Sequence, residues 1–518
     1  MQHPTRKLLA ATLPILATIL AGCNHDNPGT SVQVALDYDR SLELDTAEVT
    51  LTDRTQTAPI ERELLLLVPD ELAGTDMPIE VWGLRNGKRS AYGTVTTVPK
   101  RGQTIKAQLT LTTCSPACQN DVLTTCTGPM VTCPLSCSPD ADNAHCIAPK
   151  PSNGIDPGLA DPLRGTTTIS AATTLNTDTG AITGDISRAN GTGIDGGIGY
   201  FQAPAISAGG APLGIFVFHN LTVDATATLR FTGTRAAVLL VGDAAKIAGT
   251  IDVAAGHGAQ SAPGPGGGAG GSEIGPAKGC GPGGAGSKAG AGLDSGGSGG
   301  GGSQDGGPGG VPTGTVGAAV GNACLPAKLE PLQGGSGGGR GSPGGAVSGA
   351  NGGGGGGALQ ITALGSLEIT GLINAGGAGG EGGPAAANNA GAGGGGGAGG
   401  ALLFEAPSVM VSDKAILTAN GGGGGGGGSE LTGTLAGIQG ENGTTSLVTP
   451  NGGGGQGTNN GGGSGGAGGP PDVGGDGNSN GGGGGGGVGV IVIRGRTKMI
   501  GKATMSPPAG LLDVQPSM

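Results

Sequence analysis

Long glycine tracts alternate with short apolar segments over the last two thirds of the chain, and this alternation restricts the fold more than any other feature. Glycine supplies 122 of the 518 residues, against roughly 7% in average proteins. Runs such as Gly352 to Gly357 have no side chains to bury, and ordering them costs more conformational entropy than ordering other residues. Any hydrophobic core must therefore come from the apolar segments between the tracts.

Four of these apolar segments share one pattern, three short alternating strands in each. They begin at Ala236, Ala358, Ala401 and Val488. In the second segment Leu359 and Ile361 are expected to point inward, and we expect Val238 and Leu240 to take the matching places in the first. Glycine-rich inserts follow the third strand each time, over about 257–357, 378–400 and 421–487.

Three short strands per repeat indicate a solenoid. One turn cannot bury its apolar row alone, whereas stacked turns form a continuous core. We therefore predict an all-β chain that ends in a right-handed parallel β-helix over 165–518, with long glycine-rich loop insertions projecting from one face.

This region resembles the glycine-rich β-helical surface proteins of Gram-negative bacteria, in which GGAxLxIxA-type strands alternate with glycine tracts. The resemblance covers roughly residues 165–518. It implies an architecture and a place at the cell surface, and it implies no particular activity.

The glycine tracts have two interpretations. They resemble flexible Gly/Ser linkers, which are disordered. Alternatively they pack side by side as extended helices with three residues per turn, which only glycine permits, as at the axis of collagen. Phage adhesins and some glycine-rich antifreeze proteins are similar in using packed polyglycine helices.

The N-terminus has the parts of an export signal. Arg6 and Lys7 precede an apolar run that is shorter than the about 20 residues of a membrane-spanning helix. The run ends in Leu20-Ala21-Gly22-Cys23, which resembles the bacterial lipobox. We expect residues 1–22 to be a signal peptide and Cys23 to carry acyl chains such as palmitate, followed by a tether over 23–30. The alternative is an ordinary secretory signal beside an unrelated cysteine.

The two regions after the tether differ in composition. Residues 31–112 alternate with period two between turn signals such as Asn86-Gly87, which predicts a small β-sandwich with Trp82 and Tyr92 in its core. Residues 113–148 form a cysteine-rich neck, and a linker follows over 149–164.

Eight cysteines remain when Cys23 is set aside, and an even number in an exported chain indicates disulfides. The candidates are Cys114, Cys118, Cys126, Cys133, Cys137, Cys146, Cys280 and Cys324. Spacing does not give their pairing. A zinc site formed by the neck cysteines with His145 is the alternative.

Charge and aromatic content exclude some partners. The formal net charge is −11, and it becomes −13 once Arg6 and Lys7 are removed with the signal; aromatic residues make up only 2%. Nucleic acid, which requires basic and stacking surfaces, is therefore not an expected partner. We expect no small-molecule cofactor.

Motifs for catalysis are weak. G-x-S-x-G occurs at Ser298, Ser336 and Ser464, but each lies in a glycine tract without the strand and helix that a nucleophile elbow needs. The outward positions of the repeats do not group carboxylates as polysaccharide-cleaving enzymes do. They are Gln360, Thr362, Glu368, Asn374, Glu405 and Ser412. We therefore expect no enzyme.

One motif could hold a metal. Asp476, Asn478 and Asn480 match the first half of a calcium loop, whose alternating oxygen ligands converge on one cation. Gly487 stands where a full loop has its bidentate glutamate, so the motif is incomplete. A calcium site completed by another loop and a simple polar turn are both consistent with it.

These features together predict a non-enzymatic lipoprotein, anchored by lipid in the outer membrane or at the cell surface. Asn24 follows Cys23 in place of the aspartate that favours the inner membrane. The expected role is structural or adhesive, through glycine-rich loops that contact a cell-surface or extracellular-matrix polymer. The alternatives are a polysaccharide-degrading or carbohydrate-binding β-helix, and a protein that binds ice or a mineral.

Overall fold

A computed structural model gives the fold of the chain. It describes all residues except 1–18, 22–28, 52–53, 115–116, 120, 125, 127–129, 134, 139–143, 148, 289–292, 313–315, 345–346, 387–388, 430–434, 457–470 and 516–518. The chain forms two compact units, Met1–Ile147 and Ala148–Met518. The described residues form strands and short 3-10 helices and no α-helix, so the all-β prediction is confirmed. Accordingly, no helix in this part of the chain is long and apolar enough to span a membrane.

The first unit contains one eight-stranded sheet. Its strands are β1 (Ile19–Ala21), β2 (Ser31–Tyr38), β3 (Thr46–Leu51), β4 (Arg54–Pro59), β5 (Glu63–Leu67), β6 (Met77–Arg85), β7 (Lys88–Thr97) and β8 (Thr104–Thr113). They lie in the order β1-β5-β2-β8-β7-β6-β3-β4, and only β2 and β8 pair in parallel. Short 3-10 helices span Arg40–Leu42 and Asp70–Leu72.

Period-two alternation places one face of these strands in a common core, because successive side chains of a strand point to opposite faces. Val34 of β2, Val49 of β3 and Leu109 of β8 belong to the same buried cluster. The rings of Trp82 and Tyr92 pack at a centroid distance of 4.7 Å. Tyr92 is buried, whereas Trp82 is partly exposed.

Disulfides hold the cysteine-rich neck, which has few apolar residues. Its strands are β9 (Ala117–Gln119), β10 (Val122–Thr124), β11 (Val131–Thr132), β12 (Cys137–Ser138) and β13 (His145–Cys146). The pairs are Cys114–Cys126, Cys118–Cys137 and Cys133–Cys146. The disulfide prediction is thus confirmed, and no neck thiolate is left for the zinc alternative.

The second unit contains most of the strands. They are β14 (Thr166–Ile169), β15 (Thr173–Asn176), β16 (Ile182–Gly184), β17 (Gly193–Asp195), β18 (Ile198–Ala203), β19 (Leu213–Phe218), β20 (Asn220–Val223), β21 (Thr228–Thr232), β22 (Ala236–Val241), β23 (Ala244–Ile247), β24 (Thr250–Asp252), β25 (Ala358–Ala363), β26 (Ser366–Ile369), β27 (Leu372–Asn374), β28 (Ala385–Ala386), β29 (Asn389–Ala390), β30 (Ala401–Glu405), β31 (Ser408–Val411), β32 (Ile416–Thr418), β33 (Val490–Arg494), β34 (Thr497–Ile500), β35 (Thr504–Ser506) and β36 (Gly510–Leu512). Two 3-10 helices, Ser152–Gly154 and Pro157–Ala160, precede them.

All of these strands except β28 and β29, which pair only with each other, form three sheets that the chain visits in turn. Sheet I has the order β14-β20-β23-β26-β31-β34, sheet II β16-β15-β21-β24-β27-β32-β35, and sheet III β17-β18-β19-β22-β25-β30-β33-β36. Each strand from β19 to β27 pairs in parallel with the strand that follows it in the same sheet. Equivalent side chains therefore stack in rows, as Leu239, Ile361, Phe404 and Ile493 do.

The inward row of sheet III differs from the prediction by one residue in the first repeat. Leu239 and Val241 lie in the main core, whereas Val238 and Leu240 lie in a second apolar cluster on the opposite face. The prediction failed because β22 is buried on both faces. Its sequence is therefore continuously apolar, without the alternation that would show which side chains point into the main core. Ile155 and Leu163, within the range expected to be a linker, help to cover that second face.

A buried polar group interrupts the second apolar cluster; we call it the Glu405 cluster (Ser152, Gln360, Thr362, Glu405 and Arg494). Glu405 Oε2 accepts hydrogen bonds from Gln360 Nε2 at 2.8 Å, Thr362 Oγ1 at 2.9 Å and Ser152 N at 3.1 Å. Arg494 Nη1 lies 3.4 Å from Glu405 Oε1 and also contacts Glu330. Burial raises the pKa of Glu405 above its usual range, against the opposing effect of these hydrogen bonds and of Arg494.

Replacing Glu405 by glutamine is expected to change how stability depends on pH. Because the pKa of Glu405 is raised on folding, the folded state binds the proton more tightly than the unfolded state does, so this residue lowers stability as pH rises through the raised pKa. We expect the Tm of the wild type, relative to Glu405→Gln, to fall as the pH rises above about 4, the ordinary pKa of a glutamate carboxyl group. Glu368→Gln, at a partly exposed carboxyl group on sheet I, is the control. Parallel Tm curves for the wild type and Glu405→Gln would contradict this account.

Candidate functional site

The glycine-rich inserts leave the second unit at one equivalent point of each repeat. They connect β24 to β25, β27 to β30 and β32 to β33, so each begins after a strand of sheet II and returns to a strand of sheet III. The same hydrogen bond closes the base of all three. Gly357 N donates to Val253 O at 2.9 Å, Gly400 N to Ala375 O at 2.8 Å, and Gly489 N to Ala419 O at 2.7 Å.

Within the inserts, extended segments lie side by side and exchange hydrogen bonds with a period of three residues. In the segment 391–400, which we call the central segment, Gly393, Gly396 and Gly399 donate to one neighbour, the segment 480–489. Gly394, Gly397 and Gly400 donate to 375–383. Gly395 and Ala398 donate to 334–342. A period of three is that of the polyproline II helix, which has no internal hydrogen bonds and directs its polar groups outward.

The central segment also accepts hydrogen bonds from three further neighbours. Gly297 N and Gly300 N reach it from the segment 294–302, Gly353 N and Gly356 N from 349–357, and Gly422 N and Gly425 N from 420–428. The central segment therefore has six neighbours. Three of them accept its hydrogen bonds and three donate hydrogen bonds to it, as in a hexagonal lattice of rods with parallel axes. We call the assembly of these segments the glycine lattice. Disorder of the described tracts is thus ruled out, and the packed-helix interpretation is confirmed by their hydrogen bonds.

Glycine is required because each neighbour occupies the place of a side chain. A Cβ atom on Gly394, Gly395, Gly396 or Gly397 would lie closer than 3.0 Å to the backbone carbonyl of an adjacent segment. The successive residues face different segments, so every position of the turn is filled. The six glycines from Gly352 to Gly357 are buried in the same way.

Polar side chains bind backbone N–H groups at the rim of the lattice, where a neighbouring segment ends. Glu381 Oε2 accepts from Asn351 N at 3.3 Å and from Asn351 Nδ2 at 2.8 Å. Glu441 Oε2 accepts from Asn451 N at 2.9 Å and from Asn451 Nδ2 at 3.1 Å. These bonds lower the pKa of Glu441, the bond from the backbone N–H of Asn451 having the largest effect. These rim residues were not predicted from the sequence. Their signal is a single acidic or amide residue at the edge of a glycine run.

The residues of the calcium motif point in different directions. Asp476 Oδ1 accepts from Val311 N at 2.6 Å, whereas Asn480 Nδ2 donates to Gly428 O at 3.0 Å. Asp476 and Asn478 are exposed, and Asn480 is buried. The described residues contain no cluster of three or more histidine, cysteine or acidic side chains placed to hold a metal ion. Calcium binding stays a prediction.

The serines of the G-x-S-x-G matches bond to the lattice. Ser298 Oγ donates to Ala318 O at 3.0 Å, and Ser336 Oγ accepts from Gly281 N at 2.9 Å. Both side chains are fully buried. Ser464 lies outside the described residues, as does Cys23.

Two further predictions concern positions on or near the lattice. Cys280 and Cys324 form a disulfide within the first insert, as expected from the even number of cysteines. Of the outward residues, Gln360, Thr362 and Glu405 come together in the buried Glu405 cluster, whereas Glu368 faces Lys246 on sheet I at 3.9 Å. The sequence placed Glu405 on a solvent-facing position and did not reveal the segment that covers it.

Comparisons with protein-family models, with curated proteins and with solved structures found no match to this chain.

Adding one methyl group inside the lattice is expected to destabilise the second unit. In Gly396→Ala the new Cβ would overlap the carbonyl of Gly422, and overpacking of this kind costs about 1–3 kcal/mol. We expect a lower Tm by calorimetry. Gly275→Ala is the matched control, because nothing lies within 4 Å of its Cβ position. Equal losses in both variants, or none in either, would refute the packing described here.

Proposed function

We propose that this chain is a lipid-anchored surface protein with a structural or adhesive role, in which a right-handed parallel β-helix presents the glycine lattice to a polymer outside the cell. Its N-terminal unit would be a small β-sandwich next to the lipid anchor. The three sheets visited in turn, with rows of equivalent side chains, support the β-helix, since stacked repeats of this kind bury a continuous core.

The six-fold contact of the central segment is the observation that carries the proposal. A segment that donates to three neighbours and accepts from three has its backbone hydrogen bonds satisfied inside the lattice. The described tracts of the inserts are therefore ordered, and they can hold a surface in a fixed shape without a hydrophobic core of their own. An ordered surface binds a partner with less loss of entropy than a flexible loop does.

Exposed apolar side chains on the inserts provide contact area for such a partner. Ile274 is 99% exposed and Val316 is 73% exposed, and Leu447 and Val473 are also largely exposed. A neutral or weakly charged polymer fits them better than an anionic one, because the mature chain would carry a net charge of −13 after loss of Arg6 and Lys7.

Lipid attachment at Cys23 is testable by metabolic labelling with a palmitate analogue. We expect the wild type to take up label and Cys23→Ser to take up none, because the thiol is the site of acylation. Cys23→Ser should also leave the membrane fraction. A labelled Cys23→Ser protein, or an unlabelled wild type, would exclude this anchor.

Adhesion is testable with cells that express the protein. We expect cells with the wild-type chain to attach to polymer-coated surfaces more than cells with Cys23→Ser, because the variant is released from the surface. Gly275→Ala serves as a control for expression. If wild-type and Cys23→Ser cells attach equally, the adhesive role is wrong, and the labelling result still decides the anchor independently.

A further inference from the structure

One of the eight disulfide-bonded cysteines is open to solvent. Cys280 is exposed, whereas its partner Cys324 is partly buried and none of the six neck cysteines is exposed. A Cβ atom on Gly281 would lie 3.2 Å from Cys324 Sγ, so the backbone next to Cys280 packs against the second sulfur. The two cysteines of this bond therefore differ in access, and a reagent in solution reaches Cys280 first.

A groove borders the exposed cysteine. Its volume is about 430 Å³, within the range of about 300–1,000 Å³ that is usual for small-molecule sites. Glycine backbone forms much of the wall, together with Ala211, Pro263 and Gln333. Cys280 belongs to this lining and Cys324 does not. A small molecule in the groove would therefore lie next to Cys280.

The charged residue in the lining of this groove is a lysine. Lys278 is exposed and stands two positions before Cys280. Its backbone is fixed to the lattice, because its N–H donates to Ala269 O at 2.8 Å and its carbonyl accepts from Gly337 N at 2.9 Å. The ammonium group gives the groove a positive charge, although the whole chain has a net charge of −11. Thiolates, the anions that attack disulfides, are attracted to such a charge.

A buried hydroxyl group lies against both sulfurs. Ser336 Oγ is 3.6 Å from Cys280 Sγ and 3.7 Å from Cys324 Sγ. Disulfide sulfurs carry no proton, so the hydroxyl is the donor in these contacts. Its oxygen accepts a hydrogen bond from Gly281 N at 2.9 Å, which leaves the hydroxyl proton for the sulfurs. Ser336 is fully buried, so bulk water does not compete for this proton.

We propose that the Cys280–Cys324 bond is a site of thiol–disulfide exchange with a small thiol that carries a carboxylate group. The thiolate sulfur attacks Cys280 Sγ and forms a new S–S bond, while the Cys280–Cys324 bond breaks and its electron pair leaves on Cys324 Sγ. One thiolate and one disulfide give one thiolate and one disulfide, so no further oxidant or reductant is needed. Ser336 stabilises the Cys324 thiolate by its hydrogen bond, and Lys278 pairs with the carboxylate of the attached thiol.

The exchange is reversible because the leaving sulfur stays near the site. Cys324 N donates to Gly302 O at 2.8 Å, a bond that does not require the disulfide. The Cys324 thiolate can therefore attack the mixed disulfide and expel the thiol. Attachment opens a covalent loop between residues 44 positions apart and adds a negative charge to the surface of the first insert. This chemistry goes beyond the structural or adhesive role and does not depend on the lipid anchor.

Reaction of the purified full chain with mercaptoacetate tests the site. The reaction is stopped with acid, free thiols are alkylated, and the products are mapped by peptide mass spectrometry. We expect mercaptoacetate on Cys280, an alkylated Cys324 and no adduct on the neck cysteines. The same reaction in denaturant is the control and should modify the neck cysteines as well, because the selectivity comes from the fold. No adduct on the folded chain, or adducts on Cys324 or the neck as often as on Cys280, would overturn the proposal.

Lys278→Gln tests the class of thiol. Mercaptoacetate attacks with two negative charges and β-mercaptoethanol with one, so we expect the variant to react about fivefold more slowly with the first and about twofold more slowly with the second. Lys414→Gln, at an exposed lysine elsewhere in the second unit, is the matched control and should react like the wild type. Equal slowing with both thiols, or no slowing with mercaptoacetate, would show that Lys278 does not select a carboxylate.

Ser336→Ala tests the stabilisation of the leaving sulfur. We expect exchange at Cys280 to slow about tenfold, because a hydrogen bond to a charged group is lost. A purely structural role would predict faster exchange, since looser packing exposes the bond. An unchanged or faster rate in a variant that a Tm measurement shows to be folded would therefore refute the role of Ser336. If the variant is unfolded, the adduct map of the wild type and the rates of Lys278→Gln decide the proposal. Failure of palmitate labelling, by contrast, affects only the anchor.

Discussion

Hydrogen bonds between backbones that have no Cβ atom are the interaction on which the second unit depends. Each turn of the central segment forms three bonds as donor and three as acceptor, with six different segments. In an ordinary core, side chains fill the space between backbones, and the hydrophobic effect provides the stabilisation. Here the backbones themselves are in contact, and hydrogen bonds between their N–H and C=O groups hold the segments together in place of side-chain packing.

The lattice and the stacked strands support each other at the base of the inserts. The strands fix where each insert begins and ends, and the closing bonds at Val253, Ala375 and Ala419 join the two ends of each insert. The apolar rows provide the burial that glycine cannot provide. This division explains how the chain folds with so few aromatic residues, which make up 2% of the sequence.

The sequence predicted the all-β class, the disulfides and the repeating apolar segments, because these depend on local patterns of two or three residue types. It did not predict the inward row of β22, since an element buried on both faces has no alternation to read. It also missed the Glu405 cluster, whose members Ser152 and Glu405 are 253 positions apart and meet only in the folded chain. Whether the glycine tracts are ordered or disordered could not be decided from the sequence, because a flexible linker and a packed rod have the same glycine-rich composition. The role of rim residues such as Glu381 and Asn351 depends on the residue that each of them contacts in the folded chain, so the sequence does not show it.

The neighbours of the central segment also determine when the molecule can fold. They come from residues as early as 294 and as late as 489, so the central segment cannot reach its final environment until almost the whole second unit has been synthesised. Contacts between such distant residues slow folding, since long loops must close before the contacts form. A nascent chain that folds this slowly would still be unfolded during the export proposed above, and its rods would then assemble after translocation.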